Sequence, residues 1–201
     1  MSFRLLAQFL PENTSSYLSS WFGTHQIHIH ITRDRNSKLG DYRKLPDHSH
    51  KITLNSTLVP ELFFFVLTHE LAHLLAFHQH GFRIAPHGRE WKMVFRKMIL
   101  ESLDVYHPNL QPLLIRFSNS PKANFMASED LVRYFYGGKN NEHQTFVENL
   151  AQGEVFVYRK KTYEYQKKLK KNYLCKELNS GKTYLFKALV QVEKQRLYED
   201  E

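Results

Sequence analysis

The stretch 60–91 constrains this chain most, because it combines an apolar helix pattern with a metal-binding motif. It contains His69-Glu70-Leu71-Ala72-His73, a His-Glu-x-x-His sequence. On a helix, the two histidines of such a motif lie one above the other on one face, so that two neutral imidazoles can hold one Zn²⁺. The glutamate beside the first histidine can then reach a water at the metal and act as a base.

The residues around the motif predict a helix that is buried on most sides. Apolar residues fill 62–67 and resume at 71–72 and 74–77, while Pro60 suits a first helical turn and Gly81 is a natural stop. Polar side chains inside such a helix need partners, since unpaired buried polar groups are costly. A metal would supply that partner. The alternative interpretation is a core helix whose histidines are hydrogen bonded.

A catalytic zinc also needs a third protein ligand and an open fourth position. One known arrangement continues the motif with a glycine and a third histidine at fixed spacing. That arrangement fails in this chain, because Ala76 and Gln79 stand at those two positions. His78 and His80 flank the required position and miss it.

The other common solution takes the third ligand from a following helix, and 84–91 predicts the start of one. Its apolar positions recur with helical periodicity, which would pack the helix on the first one: Trp91, Val94, Phe95, Met98 and Ile99. That packing could bring His87 to the metal. Glu90 is the rival ligand, although an acid in the first turn is also favoured by the helix dipole.

The sequence His69-Glu70-x-x-His73, then thirteen residues, then His87-Gly88-x-x-Trp91 resembles the SprT family of metalloproteases. That family includes the Spartan-type proteases, which degrade proteins crosslinked to DNA. The segments 38–43 and 52–55 resemble the strand pair before the family's metal helix, and the similarity covers roughly residues 25 to 103. The resemblance implies one Zn²⁺ per chain, with His69, His73 and His87 as ligands and Glu70 as the catalytic residue.

An α+β fold is expected, with a zincin-like domain over 1–123 in which a small antiparallel sheet packs on the metal-binding helices. Residues 3–10 and 13–22 predict short helices, 26–32 and 52–54 predict strands, and 33–51 predicts a hairpin and a loop. Three prolines exclude helix across much of 104–123: Pro108, Pro112 and Pro121.

His28 and His30 alternate with isoleucines in the first predicted strand. Alternating histidines could bind a metal. A solvent-facing role is favoured, because no third ligand is spaced to help them.

Residues 124–143 predict a linker with a short helix at 128–136, and 144–201 predicts a small basic β module. Its strands are expected at 155–158, 162–165, 172–175 and 183–186, with a turn at 179–181.

Positive charge is concentrated in this module. Residues 156–187 contain ten basic and two acidic residues, so this segment alone carries a net charge of +8, equal to that of the whole chain. Basic side chains interleaved with tyrosine and phenylalanine suit a phosphate backbone, which predicts sequence-nonspecific DNA binding. The candidate contacts are Lys160, Lys161, Lys167, Lys168, Lys170 and Lys171. The alternative is a solvated β face whose lysines only prevent edge pairing.

Cys175 is the one cysteine, so a disulfide within the chain is impossible, which fits a reducing cytosol. Some SprT relatives carry a zinc ribbon in this region, built on two Cys-x-x-Cys pairs. Here 173–175 resembles a remnant of one knuckle. One thiol cannot build a tetrahedral structural site, so no second zinc is expected in the module.

The amino terminus is no convincing signal peptide, and the longest apolar run, 62–67, is too short to span a bilayer. A soluble cytoplasmic protein without membrane contact is therefore expected.

The sequence predicts a zinc-dependent endopeptidase of SprT type that acts on proteins at or near DNA. The alternative is a non-catalytic, nucleic-acid-associated protein that keeps the metal for structure. Glu70 argues against the alternative, because a purely structural site has no use for a base beside the metal.

Overall fold

The computed structural model of the protein describes residues 6–33, 38–81, 83–137 and 144–195. The chain divides into two units, residues 1–128 and residues 129–201. The first unit combines helices with a small mixed sheet, and the second contains a separate antiparallel sheet. The fold class is therefore α+β, as predicted.

The helices of the first unit surround one long central helix. In chain order they are α1 (Ser15–Phe22), α2 (Pro60–His80), α3 (Arg89–Glu101) and α4 (Gln111–Ser118). Single turns of 3-10 helix lie at Ala7–Phe9, Leu103–Val105 and Phe125–Ala127. The predicted burial of α2 is confirmed, since every residue from Leu62 to Thr68 is buried. Aromatic stacking holds α1 against it, with the Trp21 and Phe64 ring centroids 5.8 Å apart.

Three strands form the sheet of the first unit: β1 (Ile27–Thr32), β2 (Gly40–Lys44) and β3 (His50–Asn55). Their order is β1-β3-β2, so β3 lies in the middle. It pairs with β2 in antiparallel and with β1 in parallel orientation. The expected purely antiparallel sheet is therefore wrong. The chain leaves β1, reaches the far edge as β2, and only then turns back, so that β3 enters the sheet in the direction of β1.

One helix prediction in the first unit needs correction. The prolines of 104–123 do not exclude a helix, because Pro112 lies in the first turn of α4, where the missing N–H has no intrahelical partner to lose. Part of the helix expected at 3–10 lies outside the described residues; within them Leu6 is helical and a 3-10 turn follows at Ala7–Phe9. The prediction for 13–22 is confirmed by α1.

The second unit begins with α5 (Glu129–Gly137), close to the short helix predicted there. Six strands follow: β4 (Gln144–Phe146), β5 (Val155–Tyr158), β6 (Lys161–Lys168), β7 (Tyr173–Glu177), β8 (Thr183–Phe186) and β9 (Gln191–Lys194). They form one antiparallel sheet in the order β4-β9-β5-β6-β7-β8. The four predicted strands are present, whereas β4 and β9 were missed. Residues 138–143 of the predicted linker 124–143 lie outside the described residues.

One helix, α2, is long and apolar enough to cross a membrane by length and composition. The sequence argument compared only the apolar run 62–67 with the thickness of a bilayer, and not the full length of the helix. However, 72% of the relevant window of α2 is buried inside the fold. Such burial is typical of the core helix of a soluble domain.

Candidate metal centre

Three histidines from the central part of the first unit come together at one point. His69 and His73 lie on successive turns of α2, and His87 lies just before α3. One nitrogen from each imidazole lies within 4.8 Å of the other two, and the Nε2 atoms of His69 and His87 are 3.3 Å apart. Two nitrogens bound to one tetrahedral zinc at about 2.1 Å would be roughly 3.4 Å apart. The donor set thus fits a zinc ion in its chemistry, and the His69–His87 distance fits it in spacing.

Burial keeps the imidazoles of this cluster in the form that binds metals. Burial lowers the pKa of His69 to about 3, helped by the neighbouring His73 and His87. It lowers the pKa of His73 to about 4, and it also lowers the pKa of His87. At neutral pH each ring is therefore neutral and has a lone pair for a cation.

Two contacts fix the orientation of the rings. A ring N–H of His73 donates a hydrogen bond to the carbonyl oxygen of Pro86, a type of contact that commonly orients metal-ligating histidines. The fully buried indole of Trp91 contacts all three imidazoles, at centroid distances of 4.7 Å to His69, 5.3 Å to His73 and 4.7 Å to His87. The first turn of α3 thereby forms an apolar wall behind the cluster.

Glu70 follows His69 on α2 and is 93% buried, with a relative exposure of 7%. Its side chain lies against β2 at Gly40. A Cβ atom added to Gly40 would lie only 2.6 Å from Oε1 of Glu70 and 2.7 Å from a methyl group of Val66. Glycine is therefore required at this position by space, and the carboxylate is confined between helix and strand.

Glu90, the rival third ligand, does not join the cluster. Among the described residues, the only group of three or more possible metal ligands within 4.8 Å of one another is His69, His73 and His87. The Glu90 carboxylate instead lies near the start of α3, with Oε2 3.3 Å from the place that a Cβ on Gly88 would take. The geometry favours His87 as the third ligand.

Tyr42 of β2 is a site residue that sequence reasoning missed. Its ring is nearly parallel to that of His73, at a centroid distance of 6.0 Å and an interplanar angle of 6°. Its hydroxyl lies 3.0 Å from Nδ1 of His50, and burial raises its pKa to about 12. The only indication in the sequence is that Tyr42 belongs to the segment 38–43, which was predicted as a strand before the metal-binding helix.

The other histidines singled out in the sequence lie outside this cluster. His30 is exposed on β1 and His28 is partly exposed. Neither belongs to a group of three potential ligands within the described residues. His78 and His80 end α2 and are exposed.

The six candidate lysines of the second unit fall into two groups rather than one. Lys160 lies at the tip of the β5–β6 hairpin, next to Lys161, whose Nζ is 3.0 Å from a carboxylate oxygen of Glu177. The other four, at 167, 168, 170 and 171, lie at the opposite end of β6 and in the turn after it. Lys161 and Lys167, the nearest members of the two groups, are six residues apart along β6, roughly 20 Å at about 3.3 Å per residue. All six side chains are exposed.

Cys175 is fully buried in the core of the second unit, among residues such as Phe156, Tyr163 and Tyr173. Burial raises the pKa of its thiol to about 11. It therefore packs as a small apolar side chain and is poorly suited to bind a metal as a thiolate.

Comparison with known proteins relates the part of the chain that contains this histidine cluster to a known family. Residues 10–108 match the SprT-like family. The chain is similar to Protein SprT of Glaesserella parasuis serovar 5 (strain SH0165), with 45% identity over 42 residues, 21% of this chain and 26% of that protein. It is also similar to Protein SprT of Shigella boydii serotype 18 (strain CDC 3083-94 / BS512), with 44% identity over 55 residues, 25% of this chain and 33% of that protein. No solved structure matches the chain significantly.

The resemblance inferred from the motifs is thereby confirmed over residues 10–108, the part of the chain that matches the SprT-like family. The similar segments span only about a quarter to a third of the length of these curated relatives. The metal centre lies inside the matched region.

Proposed function

We propose that this protein is a zinc-dependent endopeptidase of the SprT type, with a zincin-like catalytic domain. One observation carries the proposal. Three neutral imidazoles, two from α2 and one from the segment just before α3, converge within 4.8 Å, and the carboxylate of Glu70 follows the first of them on α2. Three imidazoles leave a fourth tetrahedral position open, which is typical of catalytic and not of structural zinc sites.

In this proposal His69, His73 and His87 hold the metal. A zinc ion bound there supplies Lewis-acid chemistry, polarising a carbonyl group and making water more acidic. The hydrogen bond from His73 to Pro86 and the packing of Trp91 keep the rings in place. The partial exposure of His69 and His87 leaves the cluster open to a substrate from one side.

Glu70 is the general base and acid. Its carboxylate accepts the proton of the attacking water and passes it to the amine nitrogen that leaves when the peptide bond breaks. A base needs a fixed position more than it needs exposure, and Gly40 and Val66 confine this side chain closely.

The neighbouring strand β2 is suited to bind an extended peptide as the substrate. β2 lies at an edge of the sheet, and within the described residues it pairs only with β3. An edge strand offers backbone N–H and C=O groups to an incoming chain, which it binds as an added strand. Because β2 also contacts Glu70 through Gly40, a peptide on that edge would lie near the base.

We further propose that the substrates are proteins at or near DNA, and that the protein acts in the cytoplasm. The exposed lysines at both ends of β6 support the first statement, since a phosphate backbone can contact two separated cationic groups at once. The buried free thiol of Cys175 agrees with a reducing compartment.

The experiment that tests this function is cleavage of casein, with and without DNA, by the wild type and by Glu70→Gln. The variant should keep its zinc, because Glu70 is not a ligand, and should lose proteolysis by roughly 10²-fold or more. Glu90→Gln is the matched control, since it alters the same type of residue at the start of α3 and should leave both properties nearly unchanged. Full activity of Glu70→Gln would refute the proposal. Zinc-loaded wild type that cleaves nothing would favour a structural metal instead.

A further inference from the structure

A second group of histidines lies in the first unit, apart from the metal centre. His25 precedes β1, His50 begins β3, and His78 lies in the last turn of α2. The ring centroids of His25 and His78 are 4.6 Å apart, and those of His25 and His50 are 5.6 Å apart. In the metal centre the corresponding distances are 4.6 to 5.3 Å. His25 thus lies between His50 and His78, at ring distances close to those of the metal centre.

The ring of His50 is already oriented as a ligand would be. The hydroxyl oxygen of Tyr42 lies 3.0 Å from its Nδ1; in the tautomer whose Nδ1–H donates to this oxygen, Nε2 has the lone pair for an ion. Histidines that bind metals usually have such a contact at their second nitrogen, because it fixes both tautomer and orientation.

The charge state of the group also suits a cation. Burial lowers the pKa of His25 and of His50, and the neighbouring histidines lower both further, so these rings are neutral at pH 7. His78 stands at the carboxyl end of a 21-residue helix, where the helix dipole favours positive charge. Lys44, which pairs with His50 across β2 and β3, acts against a cation and should weaken its binding.

We propose that His25, His50 and His78 form a second, weaker binding site for a divalent transition-metal ion such as Zn²⁺. The ligand atoms of this group lie further apart than those of the metal centre. Among the described residues only His69, His73 and His87 have three ligand atoms within 4.8 Å of one another. Binding therefore requires the ligand atoms to move together, and the exposed side chain of His78 has room to change its rotamer.

The two sites are connected through one side chain. The Tyr42 hydroxyl contacts His50 of the second site, while the Tyr42 ring stacks on His73 of the first. Tyr42→Phe removes only the first of these contacts. It should weaken the second site by about 10-fold, as loss of an orienting partner typically does, and leave the first site filled.

The test is a calorimetric titration of ZnCl₂ into the full chain carrying Glu70→Gln and already loaded with one equivalent of zinc. The proposal predicts one further equivalent, bound at least 100-fold more weakly than the first. In a parallel NMR titration, the ring ¹⁵N signals of His25, His50 and His78 should shift during this second phase. Lys44→Gln should tighten it by about 2- to 5-fold, because it removes a neighbouring positive charge.

The second equivalent should be lost in His78→Ala and in His25→Ala. His78 is exposed, so its removal leaves the folded structure intact and keeps the test valid if His25→Ala is unstable. Matched controls are His80→Ala, an exposed histidine in the same helical turn, and His28→Ala on β1. Binding that survives in both test variants, that falls equally in the controls, or that is absent up to millimolar zinc would overturn the proposal. The first equivalent is counted separately, so failure of the second site leaves the endopeptidase proposal untouched.

Discussion

The candidate functional residues of the two units differ in burial and in how far they depend on one another. In the first unit, the candidate site is made of buried or half-buried groups whose positions depend on one another: three imidazoles, an indole and a carboxylate. In the second unit, every candidate contact is an exposed lysine, and the six lysines lie in two separated groups. The first arrangement requires packing to place each atom, whereas the second requires only that positive charge be displayed on a surface.

This difference predicts two kinds of response to mutation. A metal centre should lose function in a single step, because a zinc site with one ligand missing binds far more weakly. A charged surface should lose function gradually, because each phosphate contact contributes a similar and separate amount. The following experiments test that contrast in the order of the expected effect.

The largest effect is expected at the third ligand. His87→Ala should reduce bound zinc from about one equivalent to nearly none and abolish proteolysis, because two histidines alone hold zinc weakly. Glu90→Ala, three residues further on, should keep the metal. Elemental analysis after gentle purification measures both. If Glu90→Ala lost its zinc and His87→Ala kept it, the third ligand would be Glu90.

The second-largest effect is expected at Gly40, which is not one of the proposed metal ligands. Gly40→Ala places a methyl group where Oε1 of Glu70 and a methyl group of Val66 now lie, so Glu70 must move. Proteolysis should fall by at least about 10-fold, because small displacements of a catalytic group are costly, while zinc content stays at one equivalent. Gly153→Ala in the second unit is the control for general destabilisation. Unchanged kcat in Gly40→Ala would show that the position of Glu70 is not critical.

A smaller and graded effect is expected from the lysines after β6. Removing Lys167, Lys168, Lys170 and Lys171 together should flatten the dependence of log affinity for DNA on log salt by roughly three to four units, if all four contact phosphate. Zinc content and cleavage of a free peptide should be retained. If DNA stimulates cleavage, the variant should lose that stimulation. An unchanged salt dependence would direct attention to the basic residues of 33–44.

The smallest effect is expected at the tip of the β5–β6 hairpin. Arg159 and Lys160 both have positive φ angles, 50° and 64°, in a two-residue turn that favours Asn-Gly. Arg159→Asn combined with Lys160→Gly should raise the free energy of unfolding by about 1 kcal/mol by relieving strain. It should also remove up to about two units of the salt dependence if both side chains contact phosphate. Denaturant unfolding and DNA titration measure the two changes; a drop in stability would show that the turn is unstrained.

Elements with a strong hydrophobic periodicity were predicted correctly. The helix of Pro60–His80, the α1 helix and four strands of the second unit lie where hydrophobic periodicity placed them. The strands β4 and β9 were missed because each contains a single apolar residue, Phe146 and Val192, whereas the equally short β5 and β8 are rich in apolar and aromatic residues. The parallel pairing of β1 with β3 depends on the path of the intervening chain, which periodicity does not record.

The candidate site shows the same division. The three histidines were predicted from their spacing and from the family resemblance, because a metal site needs particular residue types. The contacts that hold the site in place were not predicted. Gly40 approaches Glu70 and Tyr42 stacks on His73 only because β2 occupies the edge of the sheet beside α2. Such contacts between distant segments have no local signature in the sequence.

The central claim is that one zinc is bound by three histidines with a fourth position open. The most direct measurement is a crystal structure of the Glu70→Gln variant with diffraction data collected on both sides of the zinc absorption edge. The account predicts one strong anomalous peak at about 2.1 Å from a nitrogen of each of His69, His73 and His87, with a water or other small molecule completing the coordination. A peak whose fourth ligand is a protein side chain, or no peak at these three histidines, would contradict it.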